Sequence, residues 1–423
     1  MLVLLLLLLA SLSLAKLPEE YRLLIEYRQT RDPKIAYRIL REYPDAVFKD
    51  DLIVLLAKDR ASAGNREEAR RLLEGVNIKR VKEDYKEDLL DLWKSLGLDK
   101  KRALLEDPVL FREFIPQVQL SSEQAISVAN TLYRYRYYRD VANLLERVDF
   151  EKACYLLGIS KRALGNREDA IEVLKACPDP RAKEELAIIY FYQNNKELLE
   201  EELSKIKDRQ VLSNALLRLA RIAISRGNYA SAVEYLLRME DGYDKFFYLG
   251  LSYFAMERYD KALESFLASL HRAQRDEERS ASSFWVYKCK VELGHQDADG
   301  YLVKASNGAG FYYAVASKLI NLPVASKALR VVVEDSAFPK TAQVIKSIHE
   351  AGFPYYARLE AFKRLGDISP PDVLAIRRFD PYLAIRLAVR KYGYGSMVYN
   401  MVAFPKPYKN QVLRASELYG VDP

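Results

Sequence analysis

Histidine, tryptophan and cysteine are scarce in this sequence, with three His, two Trp and three Cys in 423 residues. His271, His295 and His349 stand alone, at no spacing that would hold a metal or build a histidine-centred triad. No metal site, cofactor or catalytic residue is therefore predicted. Cys154, Cys177 and Cys289 are too few for a disulfide scaffold. Three small buried apolar side chains are the expected role, with one Cys154–Cys177 bridge as the alternative, since those two fall on opposite helices of one hairpin. Glycine (17) and proline (16) are rare for a loop-rich β fold, which argues for helices. Gly393-Tyr394-Gly395 lacks the third glycine and the preceding strand of a phosphate-binding loop. Low-complexity tracts are absent.

What is abundant is apolar and aromatic surface. Hydrophobic residues make up 50% of the chain, charged residues 30%, and there are 30 tyrosines. Half-buried helix contacts would cover the tyrosine rings while leaving each hydroxyl a partner. The length exceeds one ordinary core, so an extended or multi-unit architecture is expected. Residues Met1 to Leu14 are almost wholly apolar, and Ser13-Leu14-Ala15 places small residues at the −3 and −1 positions of a cleavage site. The run is too short to span a hydrocarbon core of ~30 Å, so 1–15 is read as a signal peptide, with an uncleaved tether as the only membrane link. Export to the periplasm is the expectation. The net charge of +7 then points away from nucleic acid and toward cell-wall carboxylates, lipid head groups or simply solvated helix faces.

An internal repeat organises the chain. Gly64-Asn65-Arg66-Glu67-Glu68-Ala69 recurs as Gly165-Asn166-Arg167-Glu168-Asp169-Ala170 and, more loosely, as Gly227-Asn228-Tyr229-Ala230-Ser231-Ala232. The glycines lie 101 and 62 residues apart, close to three and two units of about 31 to 34 residues. Glu257-Arg258-Tyr259-Asp260-Lys261-Ala262 adds another unit. Glycine ends one helix in the left-handed conformation; asparagine is expected to cap the next, with Glu68 or Asp169 completing a capping box. The closing alanine lets the two helices approach. Phe246, Leu249, Gly250 and Tyr253, then Tyr259, Ala262 and Phe266, are the large and small positions of a tetratricopeptide repeat, which they resemble. Such units must stack, so the fold class is all-α: an α-solenoid superhelix of helical hairpins, followed by a smaller helical domain. Phe284-Trp285 and Leu293-Gly294-His295 suggest one more hairpin. Beyond it Pro323, Pro339, Pro354, Pro370-Pro371, Pro381, Pro405 and Pro407 punctuate short helices.

Phe404-Pro405-Lys406-Pro407-Tyr408, followed by Val412, Ala415 and Tyr419-Gly420-Val421-Asp422-Pro423, resembles the junction in soluble lytic transglycosylases. The order of segments upstream is similar as well. The resemblance implies a division into a signal peptide (1–15), a superhelical hairpin domain (16–324), a helical linker domain (325–408) and the start of a junction to a lysozyme-like catalytic domain (409–423). It implies peptidoglycan glycan strands, and periplasmic cell-wall proteins, as partners. In that family one glutamic acid, in a Glu-Ser dipeptide, cleaves the MurNAc-GlcNAc β-1,4 bond by closing a 1,6-anhydro sugar. The only Glu-Ser here, Glu264-Ser265, precedes a packing phenylalanine inside a repeat helix, so this chain is expected to position glycan and to be inactive alone. A periplasmic tetratricopeptide scaffold for a protein or peptide is the alternative. Candidate substrate-binding residues are Tyr133, Arg134, Tyr135 and Arg136, in a run read as helical, because aromatic faces stack on sugars and arginine pairs with carboxylates.

Overall fold

The computed structural model describes residues 17–308, 310–320, 339–394 and 396–403, with 414, 415 and 418. The proposed signal peptide, the boundary at 324/325, Gly395 and almost all of the 404–423 motif lie outside the described residues. Twenty-four α-helices and three short 3-10 helices make up the described secondary structure. No helix among the described residues is long and apolar enough to cross a membrane. Contacts separate two compact units, residues 50–305 and a second unit formed by the chain's two ends, 1–49 with 306–423.

The larger unit is a succession of eight helical hairpins, from Lys49–Ser62 with Arg66–Glu74 to Asp276–Glu292 with Ala298–Ala305. One turn closes them all. The second residue after the first helix has a positive φ at Gly64, Gly97, Arg136, Gly165, Asn194, Gly227, Glu257 and Gly294. The next amide then donates back to a carbonyl five residues earlier, as Asn65 N–H does to Arg60 O at 2.9 Å and Arg258 N–H to Tyr253 O at 2.9 Å. This double-bonded turn satisfies the carbonyls that a helix end leaves open. The intervals of three and two repeats between Gly64, Gly165 and Gly227 are as predicted.

The expected capping boxes do not form at the first two motifs. Neither Asn65 nor Asn166 accepts a side-chain cap bond. Glu68 instead accepts from Arg60 Nε at 2.8 Å, and Asp169 lies 3.7 Å from Lys161 Nζ. In each case a cation on the preceding helix takes the acid. Asn195 and Asn228 do cap their helices, accepting from Leu198 N and Ser231 N.

The motif alanines are fully buried: Ala69, Ala170, Ala232 and Ala262. Close approach is sharpest at two glycines. A Cβ on Gly158 would stand 2.5 Å from Leu174 Cδ2, and one on Gly250 would stand 2.6 Å from the Phe266 ring. First helices of successive hairpins also touch one another from Ser122–Arg134 through Tyr243–Ala255, forming a continuous layer.

Cys154 and Cys177 are bonded, with Cα atoms 5.5 Å apart, while Cys289 is free and buried. The expectation of three free thiols therefore holds only for Cys289. Cys177 sits just past the end of its helix, where the chain turns back beside Cys154.

In the second unit the prolines act as predicted. Pro339 precedes Lys340–Glu350, and Pro354, Pro370 and Pro381 open the next three helices. The N-terminal hairpin, Glu19–Thr30 with Pro33–Glu42, belongs to this unit and not with the repeats that follow it in sequence. An aromatic cluster explains why: Tyr21 meets Phe48 and Phe353 at 5.0 and 5.8 Å between centroids, and Phe48 meets Tyr356 at 5.7 Å. Lys363 Nζ donates to Asp45 O at 2.8 Å across the same contact.

Candidate functional site

Two adjacent buried carboxylates lie on the first-helix layer. Glu184 and Glu185, both buried, lie on Pro180–Tyr192. Arg218 Nη1 on Arg209–Ser225 reaches both, bonding Glu184 and standing 2.7 Å from Glu185 Oε1. From the other side Arg162 Nη2, on Phe150–Ala163, lies 3.1 Å from Glu185 Oε2. Two carboxylates taken out of water are tolerable only because two guanidinium groups neutralise them. Burial works against the charge on Arg218, and the adjacent Glu185 and Glu184 more than restore it, leaving its pKa raised. Both arginine side chains stay partly open to solvent.

Aromatic rings surround this network. Burial, reinforced by Glu185, pushes the Tyr155 hydroxyl up to about 12. The Arg181 guanidinium lies over the Tyr155 ring at 4.2 Å and is clamped by Asp179, which also caps the helix. Arg226 covers Tyr192 at 4.7 Å and Phe191 at 5.5 Å, and Arg221 lies 5.7 Å from Tyr248. Arginine over an aromatic face recurs along the layer.

Two pockets open where the hairpin turns meet this layer. One, of ≈ 340 Å³, is lined by Arg162, Gly165, Arg167, Ile189 and Tyr192. The other, of ≈ 420 Å³, has Phe191 and Tyr235 among its walls, with Asn195, Arg226, Asn228 and Glu234. Among the described residues no group of three His, Cys, Asp or Glu is placed to hold a metal ion.

The four residues singled out from the sequence do not form one site. The run is not a continuous helix: the first helix ends at Arg134, Tyr135 caps it, Arg136 takes the left-handed turn position at φ 66°, and a new helix starts at Tyr138. Tyr133 is half-buried, packs edge-on against Tyr138 at 5.2 Å, and has its pKa raised mainly by burial, in the field of Arg162, Glu185 and Arg218. Arg134, Tyr135 and Arg136 project from the turn into solvent. Tyr133 thus borders the polar network and the other three do not. Sequence reasoning missed Glu184, Glu185 and Arg218. Their signal was available: Glu184 and Arg218 are 34 residues apart, one repeat period, so they occupy neighbouring first helices.

No family model matches the chain. A curated relative from Aquifex aeolicus, described as an uncharacterized protein, is 32% identical over 150 residues, covering 36% of this chain and 79% of its own length. This chain and that protein belong to one family. Among solved structures, the 70 kDa soluble lytic transglycosylase from Escherichia coli superposes with a TM-score of 0.53 at 13% identity, over 93% of this chain and 69% of that one. An inactive mutant of the lytic transglycosylase Slt from Pseudomonas aeruginosa gives a TM-score of 0.49 at 14% identity, over 92% and 67%. The likeness to the Escherichia coli enzyme is one of fold: the chain shares its all-helical architecture.

Proposed function

We propose that this chain is a periplasmic, superhelical peptidoglycan-positioning protein of the soluble lytic transglycosylase type, which holds glycan strands for cleavage by a catalytic domain that these residues do not supply. The observation that carries the reading is the shared architecture over 93% of the chain, beside the resemblance of residues 404–423 to the family's junction motif. The arginine-over-aromatic pairs on the first-helix layer support it, because aromatic faces accept sugar rings and guanidinium groups accept the carboxylates of wall peptides. Glu264 supports the division of labour: it is exposed, whereas Ser265 and Phe266 beside it are turned into the packing.

The test uses purified sacculi. The 423-residue chain is expected to sediment with them and to release no soluble fragments. Solubilisation by this chain would refute the division of labour. Failure to sediment would refute glycan binding and favour a tetratricopeptide scaffold for a protein or peptide.

A further inference from the structure

The two pockets flank one side chain. Arg226 lines the larger pocket, and its guanidinium lies over Phe191, a wall of that pocket, and over Tyr192, a wall of the smaller one. Their linings differ in kind. The larger combines aromatic walls, Phe191 and Tyr235, with donors and acceptors of both sorts, among them Asn194, Ser231 and Glu234. That mixture suits a ring whose faces are C–H and whose edge carries hydroxyl and amide groups. The smaller has two guanidinium groups, Arg162 and Arg167, and no carboxylate in its lining. Its Arg162 is held in place from behind by Glu185. Among the described residues, neither Arg167 nor Arg226 has an ion-pair partner. Both volumes fall in the range of small-ligand sites.

Resting on the glycan reading above, we propose that the pockets together form one subsite for an acidic saccharide. The pyranose ring occupies the Phe191–Tyr235 pocket, and its carboxylate crosses beneath Arg226 to reach Arg162 and Arg167. A carboxylate there meets planar, preorganised donors, the geometry that makes guanidinium–carboxylate pairs strong. Amides and a hydroxyl in the larger pocket fix the ring's orientation, and the aromatic walls exclude water from its faces.

The experiment titrates the full chain with two matched probes, N-acetylmuramic acid and N-acetylglucosamine, followed by ligand-observed NMR. They share the ring and acetamido group and differ in the carboxylate-bearing ether. The acid is expected to bind about tenfold more tightly than the neutral sugar, the scale of one charge-assisted contact. Arg167→Ala should erase that preference and leave neutral-sugar binding unchanged, whereas Arg226→Ala should weaken both. Both residues are exposed, so neither variant threatens the fold. Equal binding of the two sugars, or an acid preference that survives Arg167→Ala, overturns the proposal. So does an acidic peptide without sugar that competes as well as N-acetylmuramic acid. If the chain sediments with sacculi but the sugar results fail, the subsite falls and the glycan reading stands. If the sugar results hold without sedimentation, the subsite stands and the larger reading falls.

Discussion

Replacing Gly250 with alanine sets two effects of opposite sign against each other inside one hairpin. In a helix interior alanine is favoured over glycine by about 1 kcal/mol, because glycine loses more backbone freedom on folding. The added Cβ, however, would stand 2.6 to 2.7 Å from three atoms of the Phe266 ring. That ring cannot retreat: it is fully buried, stacked on Trp285 at 5.7 Å and edge-on to Phe247 at 5.8 Å. Overpacking costs about 1–3 kcal/mol, and a locked aromatic ring belongs at the upper end. The balance is a destabilisation of about 2 kcal/mol. Hydrogen exchange over Tyr243–Arg272, read on the full chain, should then quicken roughly thirtyfold. The sign should reverse in a Phe266→Leu background, where the Cβ has room and alanine's backbone advantage of about 1 kcal/mol slows exchange. Unchanged or increased protection in the single Gly250→Ala variant, or simple additivity in the cycle, would refute the steric reasoning.

Three other outcomes follow from the same structure. Arg136 holds φ 66° in the turn that glycine fills elsewhere, so Arg136→Gly should stabilise the hairpin by about 1 kcal/mol; slower exchange across Ser122–Leu145 confirms it, and faster exchange contradicts it. The Cys154–Cys177 bridge closes a separation of 23 residues, so a Cys154→Ser, Cys177→Ser double variant should lose about 3 kcal/mol; intact-mass alkylation that finds two free thiols in the parent chain removes the basis for this. Asp179 has its pKa lowered, first by its hydrogen bond with Arg181. A depressed folded pKa gives stability that is complete above the unfolded value, near 3.9, and is lost as pH falls through the lower folded one. The thermal midpoint of the parent chain should therefore exceed that of Asp179→Asn at neutral pH, with the gap closing only below about pH 4; a gap that widens on acidification contradicts it.

The repeat was legible where the glycine-led motif recurred, at Gly64, Gly165 and Gly227, and at the related 257–262 segment, but not at Gly97. Gly64, Gly165 and Gly227 predicted both the hairpins and the number of units between them, and the alanines closing the motifs predicted close helix contacts, as the buried Ala69, Ala170, Ala232 and Ala262 show. Arg136 and Asn194 escaped notice because backbone hydrogen bonds hold the left-handed turn whatever the side chain, so the residue type carries no signal there. That is also why Tyr133–Tyr138 read as one helix when it is a helix end, a turn and a helix start. The bridge between Cys154 and Cys177 depended on where Cys177 falls, one residue beyond its helix, a boundary that periodicity does not resolve. The buried pair Glu184 and Glu185 looked like any solvated acidic pair, since only the packing of three successive first helices shows what surrounds them. Placement of Glu19–Glu42 with the C-terminal unit rests on contacts among Tyr21, Phe48 and Phe353, hundreds of residues apart for the last of them, a distance no local pattern reaches.

The network of Arg162, Glu184, Glu185 and Arg218 joins three consecutive hairpins through side chains that have little to gain from separating. In a linear array, stability divides into what each unit holds by itself and what it holds through its neighbours. Separating the helices that carry Glu184 and Arg218 would leave a buried carboxylate without its counter-ion, and separating those that carry Arg162 and Glu185 would halve the neutralisation of a second. The expectation is that these three hairpins separate last and that partial unfolding starts from the flanks of the array. The smaller pocket lies within the segment 150–225 and the larger one spans its C-terminal edge, so the spacing of their walls is tied to the same ion pairs.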